Sequence, residues 1–240
     1  MVASYRALLR SDFESVREYL TSINRWPSTI DATAEGFLRR VHHLSYSMML
    51  WSDRIIDLPK RGQVFLDELR AESLQILPHC IDGYAKTPLL LMRCCVESAV
   101  KHAYFVDHQI EFERHGQDAF TLNATDGFDY LRKHPFLNTV CATWKCVDRL
   151  SSSYGQLSQH IHGTRSFQEA PLRLLGEIEM SSDVLLSQLK VLENVTASIN
   201  FLIAVIQRHR LSEFDEDYRA ILLRTMPKEA RASLTGISLV

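Results

Sequence analysis

From Ser182 to His209 the chain places Leu185, Leu189, Leu192, Val195, Ile199, Leu202 and Ile206 three or four residues apart. That spacing puts every one of them on a single face of a helix and on both faces of a strand, so it commits the segment to a long helix with a partner on its apolar side. The same rhythm recurs elsewhere. Phe37, Val41, Leu44, Met48, Trp51 and Ile55 form a stripe that starts after Asp31, a good N-cap, and stops at Leu58-Pro59. Val140, Trp144, Val147, Leu150, Tyr154, Leu157 and Ile161 form another, predicting a helix from about Thr139 to His162 that ends at Gly163.

Shorter stripes fill the remainder. Residues 3 to 24 carry Leu8, Leu9, Phe13, Val16, Leu20 and Ile23 and end at Trp26-Pro27. Residues 61 to 77 carry Phe65, Leu66, Leu69, Ile76 and Leu77, with Pro78 expected to bend or stop the helix. A helix is predicted from Pro88 to Val106 with Thr87 as its cap, and Ser212 is expected to cap a short helix near the end. No segment calls for a strand, and 9 Gly with 7 Pro in 240 residues suits long helices joined by few turns.

The expected fold is therefore all-α: an antiparallel bundle. Residues 85–210 are its core, residues 1–84 are N-terminal helices packing on that core, and residues 211–240 are a short C-terminal helical extension, the three forming one compact unit. The fourth, fifth and longest helices are expected to make the centre.

A net charge of −2 supplies no general attraction to nucleic acid or to an anionic membrane, so any RNA contact has to be local. The nitrogen-rich run Arg39, Arg40, His42, His43 reads as a solvated face beside a core stripe, because no aromatic residues are interleaved with it. The five cysteines contain no CxxC pair and mostly occupy apolar helical positions, which suits a reducing, cytoplasmic setting. The charged N-terminal stretch has no apolar signal core, and the longest unbroken apolar run, Phe201 to Ile206, is far too short to span a bilayer, so no membrane segment is expected.

Residues 107–138 are the least regular part. Asp107, His108, Glu111 and His115 lie there without a spacing that fixes a coordination geometry, and they read as a polar linker; no metal and no cofactor are expected. Asp126 is expected to cap a short helix from Phe128 to Lys133.

Chemistry concentrates at two places. The helix LLLMRCCVESAVKHAYF is apolar on most of its circumference, which makes Arg93, Glu97, Ser98, Lys101 and His102 its informative residues. Arg93, Glu97 and Lys101 follow one another at intervals of four, and either pair to fix helix register or line a cleft. The second place is Tyr154 to Gly163, YGQLSQHIHG, where Ser158 precedes His162 by one helical turn on the same face. His160 points elsewhere and reads as a surface residue. Tyr154 reads as a core residue whose hydroxyl needs a partner such as Glu97.

An Arg-x-x-x-Glu in an apolar helix, followed some sixty residues later by Tyr-x-x-Leu-Ser-x-x-x-His-Gly, resembles the HEPN superfamily of helical domains, most closely its abortive-infection and uncharacterised bacterial branches. The likeness covers roughly residues 85 to 207. It implies a helical bundle, often a two-fold dimer, and for many members metal-independent RNA cleavage in toxin and phage-defence systems. The resemblance assigns the histidine position of the usual motif to His162. The arginine position falls near Leu157, where this chain has no arginine, and Ser158 stands where the motif commonly has Asn.

The implied chemistry has His162 exchange a proton with the ribose hydroxyl or leaving oxygen while Arg93, from the neighbouring helix, stabilises phosphate charge. Glu97 would orient Arg93 or tune the histidine, Ser158 would hold a phosphate oxygen or the imidazole, and Tyr154 and Lys101 would contact substrate. Two readings stay open. One is an RNA-directed effector of bacterial defence against phage, acting as a homo-oligomer; the other is a non-catalytic helical subunit that oligomerises or binds a larger defence-system protein, for which the missing arginine and the apolar tail Thr235 to Val240 speak.

Overall fold

The computed structural model describes residues 4–140, 142–161 and 180–235. Among these the chain is helical throughout, with eleven α-helices and no strand. In order they are α1 (Tyr5–Ser22), α2 (Ala32–Arg54), α3 (Lys60–Ile81), α4 (Lys86–Phe105), α5 (Gln109–His115), α6 (Ala124–Lys133), α7 (Pro135–Val140), α8 (Cys146–Ile161), α9 (Ser182–Ile206), α10 (Glu216–Arg224) and α11 (Lys228–Thr235). The expected all-α bundle is the fold observed.

Most boundaries follow the local chemistry. Asp31 caps α2 by accepting the Ala34 N–H at 2.8 Å. Other boundaries depart from expectation. Pro78 lies inside α3, which runs one further turn to Ile81, and Pro88 is the third residue of α4, within the first turn, where a missing N–H breaks no bond. Thr87 is thus inside α4 and is not its cap. Asn123, not Asp126, caps α6: its side chain accepts the Asp126 N–H at 2.9 Å. Ser212 belongs to a 3₁₀ turn, and α10 begins after Asp215.

The single helix expected from Thr139 to His162 is two. Its α7 portion ends at Val140, and α8 begins only after Lys145, whose φ of 49° cannot continue a right-handed helix. Trp144 consequently enters the core from the connection and packs against Phe201 with ring centroids 5.0 Å apart.

One main core joins the helices. α4 packs against α3, α6, α8 and α9, while α2 lies between α3 and α9. The centre is therefore α2, α3, α4 and α9, with α8 nearer the edge; this shifts the expected division, in which the first three helices were outer layers. Leu38, Val41, Leu44 and Met48 of α2 are as deeply buried as Met92 and Cys95 of α4.

α9 alone among the described helices has the length and apolarity of a membrane span, and 72% of that apolar window is buried inside the protein. Its polar side chains are buried as well. Asn200 accepts from Trp51 Nε1 at 2.8 Å and donates to Ser47 Oγ at 2.8 Å and Thr225 Oγ1 at 2.9 Å, tying α9 to α2 and to the end of α10. These bonds give a buried amide the partners it would otherwise find in water.

Candidate functional site

Where α4 crosses α8, three of the residues singled out in the sequence meet. Arg93 and Glu97 are one turn apart on α4, and Tyr154 reaches them from the third turn of α8. Arg93 Nη2 donates to Tyr154 Oη at 3.0 Å, and that hydroxyl donates to Glu97 Oε1 at 2.9 Å. Arg93 Nε lies 3.1 Å from the same carboxylate oxygen, an ion-pair distance without the alignment of a hydrogen bond. The guanidinium carbon is 5.1 Å from the Tyr154 ring centroid. The expected Tyr154–Glu97 partnership is present.

The triangle is half-buried: the Arg93 and Glu97 side chains are 23% and 32% exposed. Burial raises the Tyr154 pKa; the Arg93 hydrogen bond works against the rise and the Glu97 bond adds to it, so the phenol keeps its proton at neutral pH and serves as a donor. Burial opposes the charge of Arg93, but the bond to Tyr154 and the charge of Glu97 outweigh it and its pKa is raised.

Ser158 follows Tyr154 by one turn of α8, and its buried Oγ has no hydrogen-bond partner among the described residues. Leu157 is fully buried in the core, so the position that corresponds to the motif arginine faces packed apolar side chains. His162, with Gly163, lies outside the described residues, which on α8 end at Ile161. His160 is half-buried, not a surface residue. Lys101 does not join the triangle: its Nζ is 5.8 Å from the Phe65 ring of α3. Two further turns along α4 have rotated it from α8 towards α3.

On that α3 side lies a feature the sequence reading missed. Ser98 donates to Glu72 Oε2 at 3.1 Å, and Glu68 Oε2 lies 3.5 Å away. Burial pushes the Glu72 carboxyl up to about 7, with Glu68 and Glu97 adding to the rise and the Ser98 bond and Lys101 opposing it. The signal for it was present: Glu68 and Glu72 are one turn apart on a helix facing a serine in an apolar neighbour.

His108 and His115 have structural employment. His108 stacks on Tyr104 at 4.0 Å and bonds its carbonyl at 2.7 Å, and His115 bonds the Phe120 carbonyl at 3.0 Å. Among the described residues no group of three His, Cys, Asp or Glu side chains is arranged to hold a metal. Comparison with known proteins finds no matching family model, no matching curated protein and no matching solved structure. Fold and site together thus define an all-α bundle with a half-buried Arg–Tyr–Glu junction between two of its helices.

Proposed function

We propose that the chain is a HEPN-like, RNA-directed component of a bacterial phage-defence system, cytoplasmic and homo-oligomeric, cleaving RNA without a metal through His162 and Arg93. The observation that carries this reading is the direct packing of α4 on α8, with Arg93 and Glu97 of the first half of the resemblance hydrogen-bonded to Tyr154 of the second. A half-exposed guanidinium held by a phenol and a carboxylate is oriented before any ligand arrives, which is what electrostatic stabilisation of a phosphate requires. Ser158 adds, on the same helix, a hydroxyl without a hydrogen-bond partner among the described residues.

A second reading rests on its own observation. Arg93 is already bonded within a closed triangle, and position 157 is core, so the same residues also suit a non-catalytic subunit that uses the junction to fix helix register.

Purified protein incubated with total RNA in EDTA separates the two. RNA cleavage by the wild type, lost in His162→Ala and in Arg93→Ala at unchanged thermal midpoint, is the expected result. An inactive wild type would leave the non-catalytic subunit, and cleavage that persists in His162→Ala would remove that histidine from the mechanism.

A further inference from the structure

Away from the α4/α8 junction, α1, α2, α10 and α11 enclose a cleft of about 540 Å³. Arg6, Arg10, Arg39, Arg40, Arg224 and Arg231 all line it, and among the described residues no carboxylate does. Four separate helices supply these six arginines, in a chain whose net charge is −2. Convergence of that many like charges opposes folding unless something offsets it. Neighbouring carboxylates supply part of the offset: Arg39 pairs with Glu14 at 2.8 Å and Glu35 at 2.6 Å, and Arg40 with Glu193 at 3.0 Å. Among the described residues Arg6, Arg10 and Arg224 have no carboxylate partner within 4.0 Å.

Aromatic rings hold several of these guanidiniums in place. Arg224 lies 4.5 Å from the Tyr5 ring centroid, Arg39 lies 4.4 Å from that of Phe13, and Arg6 Nε donates to the Tyr5 hydroxyl at 2.9 Å. His43 Nδ1 accepts from Arg40 at 3.2 Å, and burial, with the nearby Arg40 charge, lowers its pKa to about 4, so it orients a cation and adds none at neutral pH. The run Arg39–His43 therefore does have aromatic neighbours. Phe13 comes from α1, where the sequence of α2 cannot reveal it, and Tyr46, one turn on in α2, stacks on His42.

A second cavity of about 700 Å³ lies beside the cleft, and Arg40 and Arg224 line both. Its other lining is of a different character: Ser152, Ser153, Gln156 and Asn194 offer neutral hydrogen-bonding groups beside the Trp144 ring, together with Arg149 and the carboxylates of Glu193 and Glu229. The first space thus suits concentrated negative charge, while the two carboxylates of the second disfavour negative charge there and leave it to a polar body without phosphates.

We propose that this groove binds a small organic polyphosphate, its adjacent phosphates on Arg6, Arg10 and Arg224 and its neutral portion in the Trp144 cavity. Guanidinium forks match phosphate oxygens in pairs, and three arginines from two helices that have no carboxylate partner among the described residues suit adjacent phosphates better than a single carboxylate. A combined space of this size takes a nucleotide-sized molecule. The arginines come from helices outside residues 85–207 and the Trp144 cavity from α8, α9 and the connection before α8, but the proposal uses neither Arg93 nor His162 and does not depend on the ribonuclease reading.

Isothermal titration of the full chain with ATP, inositol hexakisphosphate, inorganic tripolyphosphate and adenosine tests it. Saturable binding of ATP or inositol hexakisphosphate is expected, competed by tripolyphosphate and weakened by salt, and which of the two binds tighter identifies the neutral portion. Arg6→Ala and Arg10→Ala, both exposed on α1, should each lower affinity about tenfold at unchanged thermal midpoint, with Arg10→Lys losing less. Absence of binding by every phosphorylated probe, equal binding of adenosine, or affinity that survives the double alanine variant would each overturn the proposal. So would tight binding of a single-stranded oligoribonucleotide without binding of ATP, inositol hexakisphosphate or tripolyphosphate, since that ligand would be a phosphodiester chain.

Discussion

The Tyr154 hydroxyl donates to Glu97 at 2.9 Å while accepting from Arg93 at 3.0 Å, so a single oxygen closes the polar contact between α8 and α4. Tyr154→Phe keeps the ring and its packing on Phe128 but removes both bonds. Because Arg93 and Glu97 are half-exposed, water replaces part of what is lost. Urea unfolding should show a loss of about 1–2 kcal/mol. A double-mutant cycle with Arg93→Ala should give a coupling of about 1 kcal/mol, and strictly additive losses would show that the three side chains are not a network.

Asn200 presents a harsher case, since nothing around it is open to water. Its amide oxygen accepts from Trp51 and its amide nitrogen serves Ser47 and Thr225, all at full or nearly full burial. The Ser47 and Thr225 hydroxyls also donate to the Leu44 and Leu222 carbonyls, both at 2.7 Å, so they keep one partner when Asn200 is removed. Trp51 Nε1 keeps none. Asn200→Ala should therefore cost about 3 kcal/mol, from the orphaned indole N–H together with the cavity, and denaturant unfolding measures it.

Acid should destabilise the fold through two histidines. His102 donates from Nδ1 to the Gly62 carbonyl at 2.9 Å, which leaves Nε2, 3.1 Å from Gln207 Nε2, as an acceptor. Burial lowers its pKa to about 4, and burial with the neighbouring Arg40 charge does the same for His43. Their folded values lie below the ordinary 6.5, so the unfolded chain takes up protons that the folded chain refuses. The stability they contribute is complete above about pH 6.5 and is lost as pH falls towards 4. Glu72 has the opposite sign: raised to about 7 from 4.5, it favours the fold below pH 4.5, and that contribution is lost as pH rises through 7. Between pH 6.5 and 4.5 the two effects oppose each other. Glu72→Gln should steepen the acid loss across that window by about one proton, or about 1.4 kcal/mol per pH unit at most; an unchanged slope would mean that Glu72 titrates near its ordinary value.

How far the sequence anticipated this structure depends on where the determining contact lies. Each apolar stripe announced its helix because the 3.6-residue period is local, and the Tyr154–Glu97 bond was foreseeable because a half-buried phenol needs a partner and few polar residues were on offer. The break before α8 was not visible. Lys145 adopts a positive φ without being glycine, and the apolar spacing runs across it undisturbed because Trp144 still enters the core. The arginine cleft was invisible for a different reason: Arg6, Arg40, Arg224 and Arg231 are far apart in the chain and ordinary in their own segments. Only the packing of α1, α2, α10 and α11 makes them neighbours.

Gly127 controls how closely α6 approaches α4. A Cβ at this position would overlap Val100 Cγ1, and the Leu122 side chain lies beyond at 3.7 Å. Val100 is β-branched, almost wholly buried and held in one rotamer by its helix, so its methyl group has little room to withdraw. The favourable helix propensity of alanine, about 1 kcal/mol over glycine, works in the other direction. Overpacking of a filled core costs about 1–3 kcal/mol, so Gly127→Ala should lower stability on balance, by up to about 2 kcal/mol. Val100→Ala removes the obstructing methyl, and in that background the Gly127 substitution should become neutral or stabilising. A double-mutant cycle by chemical denaturation reads the reversal, and a loss of the same size in both backgrounds would show that α6 is held off α4 by something other than this contact.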